Sequence, residues 1–298
     1  MNRSIEILKE LYKPYRYTIK GNATILETTS GNYVIKQKGK DIKKLFSYLE
    51  NRNFDNFPFL IDESRKDVNV YEYIENKYEP LSQKYEDLIN LVASLHNKTS
   101  YFKEVNKDKY KEIYENINNN LNYLKNHYEN LYNEKFKEIY TSPSNYLFLR
   151  NYSKIQSAIE FSLNELNKWL GLVKDEEKIR VVLLHNNLKV DHFIKNNKDY
   201  LISWDKYKFD TPIIDIVNLY KNEYLNTNFE NILKKYFNLF PLLNHEKKLL
   251  FLLLAIPPEL KLHGSEFQKC ETMSNFLNYI YKTEKLIRPY YSDKKEKE

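Results

Sequence analysis

Apolar and polar positions alternate along three short stretches near the start of the chain, Tyr17–Ile19, Ala23–Thr28 and Tyr33–Gln37. Gly21-Asn22 and Ser30-Gly31-Asn32 separate them. Alternation marks half-buried strands and these Gly- and Asn-containing segments favour tight turns, so the stretches predict three strands joined by hairpins. Asp41–Arg52 changes period. Its apolar residues at 42, 45, 46 and 49 share one face of a helix, and Phe57-Pro58 breaks the pattern. Phe59–Asp62 and Val68–Ile74 return to strand character around a polar turn at Glu63–Asp67. The predicted order over residues 1–78 is β-β-β-α-β-β.

Beyond residue 78 the pattern is mostly helical. Tyr85–His96 has apolar residues at 85, 88, 89, 92 and 95, and 106–139 and Ser153–Val173 also carry helix spacing. Arg180–Leu184 interrupts them as a short apolar run with the composition of a buried strand, leading into His185-Asn186-Asn187-Leu188. Asp191–Lys195 and Asp199–Asp205 flank a turn at Asn196-Asn197-Lys198 and predict a hairpin. Helices are predicted over 213–224, 228–240, 245–256 and 266–287, with Pro257-Pro258 as a break. No repeat and no Pro- or Ser-rich linker appears, so 1–78 and 79–298 read as two lobes of one unit.

Composition narrows the class. The 298 residues include 27 Tyr and 16 Phe but only 5 Gly, which excludes a disordered chain and folds built on repeated Gly-rich phosphate loops. The longest apolar run, Leu249–Ile256, is far shorter than the roughly 20 residues of a membrane span, and the amphipathic MNRSIEILKELYK start has no apolar signal core. The single cysteine, Cys270, reads as a small buried residue with no disulfide partner, and points to a reducing cytoplasm. The net charge of +6 is spread evenly, +3 over residues 1–78 (14 basic, 11 acidic) and +3 over the rest (33 basic, 30 acidic). That distribution reads as a solvated Lys/Glu surface and sets a nucleic-acid partner aside. The tail ending DKKEKE reads as frayed.

The chemistry concentrates in HNNLKVDHFIKNNKDYLISWDKYKFDTPIIDI, residues 185–216. With Tyr33-Val34-Ile35-Lys36 and Leu91-Val92-Ala93-Ser94-Leu95-His96, it resembles the aminoglycoside phosphotransferase and choline kinase-like families, and within them the kinase-like spore coat proteins of the CotS group. The resemblance implies an α+β, protein-kinase-like bilobal fold, with a small β-rich N-lobe (1–78) and a larger helical C-lobe (79–298). It also implies ATP and Mg²⁺ as cofactors and a small-molecule hydroxyl as acceptor. In the family pattern, Asn187 stands at the aspartate that orients the acceptor, and His192 and Ser203 at the two Mg²⁺ ligands. Lys36 stands at the nucleotide-phosphate lysine, and Glu72 and Ile74 fall in the hinge segment whose backbone takes adenine. His185 and Asp215 occupy loop-bracing positions.

The three chemical positions all depart from what phosphoryl transfer needs. Asn187 has no basicity, His192 offers a soft nitrogen to a cation that wants oxygen, and Ser203 is neutral. Losing a general base alone costs on the order of 10²–10⁴ in rate. The reading is a degenerate, pseudokinase-like phosphotransferase. The resemblance implies a binding or scaffold role among coat proteins, cytoplasmic and spore-associated. The rival is an active small-molecule kinase in which Asp205 and Asp191 replace the lost ligands, with Asp205 facing the same side of a strand as Ser203. A zinc site from His96, His185 and His192 is a further alternative, without Cys partners or a metal-binding spacing. Lys36 has no convincing carboxylate partner in the next helix, where only Asp41 and Glu50 are candidates.

Overall fold

The computed structural model describes residues 10–62, 67–105 and 107–292. The first residues of the amphipathic start, most of the turn at Glu63–Asp67 and the DKKEKE tail lie outside them. The described chain is a mixed α+β protein, with a β-sheet in its N-terminal region and a helical C-terminal region. It divides into two compact units. One comprises the chain up to Ser100 together with Leu183–Phe209, the other Tyr101–Val182 together with the chain from Asp210. This differs from the division at 78 suggested by the sequence. Helix 81–99 and the hairpin after residue 190 fall in the sheet's unit, because their hydrogen bonds run to residues of that unit.

In the first unit β1 (Arg16–Lys20), β2 (Ala23–Thr28), β3 (Gly31–Gln37), β4 (Leu60–Asp62) and β5 (Val68–Glu72) form an antiparallel sheet in the order β1-β2-β3-β5-β4. Register fixes its faces. Ala23 pairs with Lys36, Ile25 with Val34 and Val34 with Tyr71, so these side chains share one face. The alternate residues Leu26, Ile35, Val68 and Val70 form a fully buried cluster on the other. Helix α1 (Ile42–Glu50) buries Ile42, Leu45, Phe46 and Leu49 and is capped by Asp41, whose carboxylate accepts from the Lys44 amide at 3.1 Å. Helix α2 (Leu81–Thr99) and the hairpin β8 (Phe193–Lys195) and β9 (Asp199–Leu201) complete the unit.

In the second unit β6 (Tyr101–Glu104) pairs antiparallel with the start of β7 (Lys178–Leu184). Helices α3 (Lys107–Phe136) and α4 (Pro143–Val173) run antiparallel, tied by the Tyr114 hydroxyl donating to Asn167 Oδ1 at 2.9 Å and by stacked Tyr132 and Tyr152 rings 4.3 Å apart. Strand β10 (Lys208–Asp210) begins in the first unit and ends in the second, and leads to α5 (Ile213–Glu223), followed by α6 (Phe229–Leu239), α7 (Asn244–Ala255), α8 (Glu266–Ile287) and the short α9 (Pro289–Ser292). Cys270 lies partly exposed on α8 rather than buried. Among the described residues no helix is long and apolar enough to cross a membrane.

Candidate functional site

A cavity of about 760 Å³ lies within the first unit. The sheet face defined by register supplies Ala23, Ile25, Val34, Lys36 and Tyr71 to its lining. The β1–β2 tip adds Lys20, Gly21 and Asn22. Gly21 has a φ of 55°, the left-handed backbone that lets a two-residue hairpin loop close. The segment after β5 adds Tyr73, Ile74 and Asn76, and the loop after β7 adds Asn187, Asp191 and His192. Glu72, Lys84, Ser203, Trp204 and Asp205 line it as well.

Lys36 is the pivot. Its ammonium donates to Ser203 Oγ at 3.0 Å and to Asp205 Oδ2 at 3.3 Å. The carboxylate partner therefore comes from the segment after β9, 169 residues on, and not from α1, where Asp41 is the cap. The expectation that Ser203 and Asp205 stand two apart in one strand is corrected. Strand β9 ends at Leu201, Ser203 adopts a left-handed backbone with φ 67° and ψ 51°, and Trp204–Lys206 form one 3-10 turn. The kink, not strand alternation, brings both side chains to Lys36. Asp205 remains half exposed, and Lys36 is mostly covered. Burial pushes the Tyr71 hydroxyl up to about 12, and the negative charge of Asp205 adds to the rise.

His192 lines the cavity beside Asn187. Its Nδ1 donates to the Asn187 carbonyl at 2.6 Å, closing the loop 187–192 on itself. Burial holds its pKa below the usual value, and the positive charges of Lys36 and Lys189 act in the same sense. Asn187 meets the cavity with this same loop, and Asp191 is exposed on the 3-10 turn Val190–His192. His185 is fully buried, donates from Nε2 to the Ile202 carbonyl at 2.8 Å and meets the Trp204 ring edge-on at 4.8 Å. Asn186 takes a φ of 55°, a backbone that asparagine tolerates better than most residues, and its amide donates to the Lys206 carbonyl at 3.0 Å.

Two of the remaining candidates line the cavity. Glu72 is engaged sideways, since its carboxylate accepts from the Phe59 amide at 2.8 Å. Ile74 is buried, and its backbone N–H and carbonyl have no hydrogen-bond partner among the described residues. Asp215 lies in the second unit, fully buried in the first turn of α5. There it adds to the rise in the pKa of Tyr236, which burial pushes well above the usual range.

The residues do not form a site for the Mg²⁺ that the resemblance implies. Ser203 offers a hydroxyl already bonded to an ammonium, and Asp205 is ion-paired to that same ammonium. Among the described residues no three of His, Cys, Asp and Glu converge, so the zinc alternative finds no cluster of ligands. Sequence reasoning missed Lys195, whose ammonium binds Asp87 and Asp199 at 2.7 Å each while its amide donates to Asn76 Oδ1 at 3.0 Å. Lys195 thereby ties β8 to the segment carrying Ile74. The only sequence signal was its place before the Asn196-Asn197 turn.

No protein-family model matches the chain, and no curated protein matches it. Solved structures do. An aminoglycoside phosphotransferase from Alicyclobacillus acidocaldarius aligns with 93% of this chain and 91% of its own at a TM-score of 0.71 and 10% identity. The AMP-bound spectinomycin phosphotransferase APH(9)-Ia aligns over 97% and 94% at a TM-score of 0.55 and 14% identity. The same enzyme with ADP and spectinomycin aligns over 94% and 96%, at 0.50 and 14%. At these identities the likeness concerns architecture. The chain has the kinase-like α+β fold of the aminoglycoside phosphotransferases.

Proposed function

We propose that this protein is a catalytically degenerate phosphotransferase that binds a nucleotide in the cavity of its first unit without transferring the phosphoryl group, and that it serves as a binding or scaffold protein. The observation that carries the reading is the Lys36–Ser203–Asp205 cluster, in which a lysine engages Ser203, at a family metal position, and Asp205, a carboxylate that would have to replace the lost ligands. Asn187 adds the loss of a base. The cavity supports nucleotide binding: its volume is that of an ordinary ligand site, Lys36 lines it, and Ile74 offers unbonded backbone groups to a base. The neighbour APH(9)-Ia holds AMP in one structure and ADP with spectinomycin in another, which favours an adenine nucleotide here too. Following the resemblance to the CotS group, the partners are coat or scaffold proteins and the setting is spore coat assembly. Fractionation of spore coat extracts tests that setting, and loss of the protein from every coat fraction would count against it.

The test of the site is a titration with ATP, with and without MgCl2, followed by thermal shift and phosphate release. The expected result is a raised melting temperature and no turnover above the buffer blank. Mg²⁺-dependent turnover that vanishes in Asp205→Ala would overturn the degenerate reading in favour of an active small-molecule kinase. Absence of any shift in either buffer would remove nucleotide binding.

A further inference from the structure

We infer that the cavity takes its nucleotide free of divalent metal, with the Lys36 ammonium as the fixed countercharge to phosphate. The inference rests on the nucleotide reading above and narrows it to the metal-free ligand. An ammonium has three N–H donors in a tetrahedral array. Two of those of Lys36 are spent on Ser203 Oγ and Asp205 Oδ2, which fixes the head group on the cavity wall. The third is left for a ligand. A side chain so held loses little further rotamer entropy when a phosphate oxygen arrives, and a charge-assisted hydrogen bond forms on a group already in place.

The same geometry works against Mg²⁺. An ion bound by Ser203 Oγ or Asp205 Oδ2 would share its ligand with an ammonium 3.0 to 3.3 Å from that oxygen. A cation sharing an oxygen with that ammonium is held close to it, and like charges held close repel. Mg²⁺ is commonly held by one or two carboxylates together with phosphate oxygens. Here the carboxylate beside Lys36 is already ion-paired to it. His192 adds only an imidazole, a poor match for so hard a cation.

Position 203 converts the inference into an experiment. Its left-handed backbone is one that aspartate adopts more readily than most residues, so Ser203→Asp keeps the kink and places a second carboxylate beside Asp205. Calorimetric titration of the full chain with ATP, once in EDTA and once in MgCl2, reads the outcome. The unmodified protein is expected to bind in EDTA at least as tightly as in MgCl2. Lys36→Met is expected to weaken binding about tenfold or more in both buffers, the size of one charge-assisted contact. Ser203→Asp is expected to weaken binding in EDTA and to regain about tenfold in MgCl2. Wild-type binding that requires MgCl2 would overturn the inference while leaving nucleotide binding intact. No binding in either buffer would overturn the nucleotide reading itself. An unchanged response to MgCl2 in a folded Ser203→Asp would overturn the assignment to this cluster. Should that variant fail to fold by circular dichroism, the wild-type comparison decides alone.

Discussion

Ser203 carries two burdens, a backbone that disfavours a Cβ and a hydroxyl that anchors Lys36. The left-handed conformation costs an L residue roughly 1–2 kcal/mol. Valine would add β-branching to that cost, so Ser203→Val is expected to lose about 1–2 kcal/mol of unfolding free energy in a urea titration. Ser203→Gly relieves the backbone and loses one hydrogen bond, two effects of similar size and opposite sign, and is expected to stay near wild type. An equal loss in both variants would mean that the hydrogen bond, not the backbone, dominates. His192 gives the second residue-scale prediction. Its folded pKa lies below the ordinary value of 6.5, because burial opposes the charged form, with Lys36 and Lys189 adding and the Asn187 carbonyl and Asp191 opposing. The unfolded chain then binds the proton more tightly than the folded one. Above pH of about 7 the group is neutral in both states and contributes nothing. As the pH falls through 6.5 toward the folded pKa, stability is lost. His192→Gln can still donate to Asn187, so it is expected to flatten the urea midpoint between about pH 7 and pH 5. A profile with the same slope in both proteins would assign the acid sensitivity elsewhere.

Elements whose amphipathic pattern meets a single buried face were legible in the sequence, and those whose residues are mostly exposed were not. The three N-terminal strands, α1 and the β8–β9 hairpin were read within a few residues of their observed spans, because alternation and Gly or Asn turns coincide there. Strand β6 was missed, since all four of its residues are exposed and its partner β7 supplies the pairing. Helix α4 was expected to start at Ser153 and starts at Pro143, where the Ser142 side chain accepts from the Asn145 amide and proline takes the first helical position. The Ser142-Pro143 pair is itself a helix-start signal, and it lies ahead of the apolar spacing. Asp205 meeting Lys36 had no sequence signal, because a left-handed serine sets it. The start of α8 makes the element-scale prediction. Ser265 and Gln268 form a capping box, with the Ser265 amide donating to Gln268 Oε1 at 2.8 Å. Gly264 precedes it at φ 87°, and a Cβ there would lie 2.3 Å from Gln268 Oε1. Gly264→Ala must strain the backbone and expel the glutamine at once, and is expected to cost about 1–3 kcal/mol in thermal or urea unfolding. Gln268→Ala in the Gly264→Ala background should then cost little more, and a fully additive double variant would show that the two effects are separate.

At the scale of the whole molecule, the chain passes between its two units at 100/101, 182/183 and 209/210, so the sheet's unit is discontinuous in sequence. A fragment ending at residue 78 lacks α2, and one ending at residue 100 still lacks 183–209. That missing stretch carries the groups that satisfy the rest of the unit. The Asn56 side chain donates to the Asp199 carbonyl at 2.8 Å, the Leu201 amide to the Asn56 carbonyl at 2.9 Å, and Lys195 pairs with Asp87 at 2.7 Å. Buried Phe54 meets buried Trp204 edge-on. Without 183–209 these polar groups and this apolar surface face water, and residues 1–100 are expected to show no cooperative unfolding transition. The two ends that would need joining are already adjacent, because the Leu183 amide donates to Thr99 Oγ1 at 3.1 Å. A chain that links residue 100 to residue 183 through a few Gly and Ser residues therefore closes without a long loop, and its closure entropy is small. Trp204 becomes its only tryptophan, since Trp169 lies in the other unit. We expect this linked chain to give a single urea transition by Trp204 fluorescence. Because the cavity is lined entirely by residues of this unit, ATP should raise the midpoint, by an amount equivalent to about 2.7 kcal/mol at a hundredfold excess over Kd. A cooperative transition in residues 1–100 alone would show that 183–209 is dispensable to the unit. A linked chain that folds but ignores ATP, beside a full chain that responds, would place part of the binding surface outside residues 1–100 and 183–209.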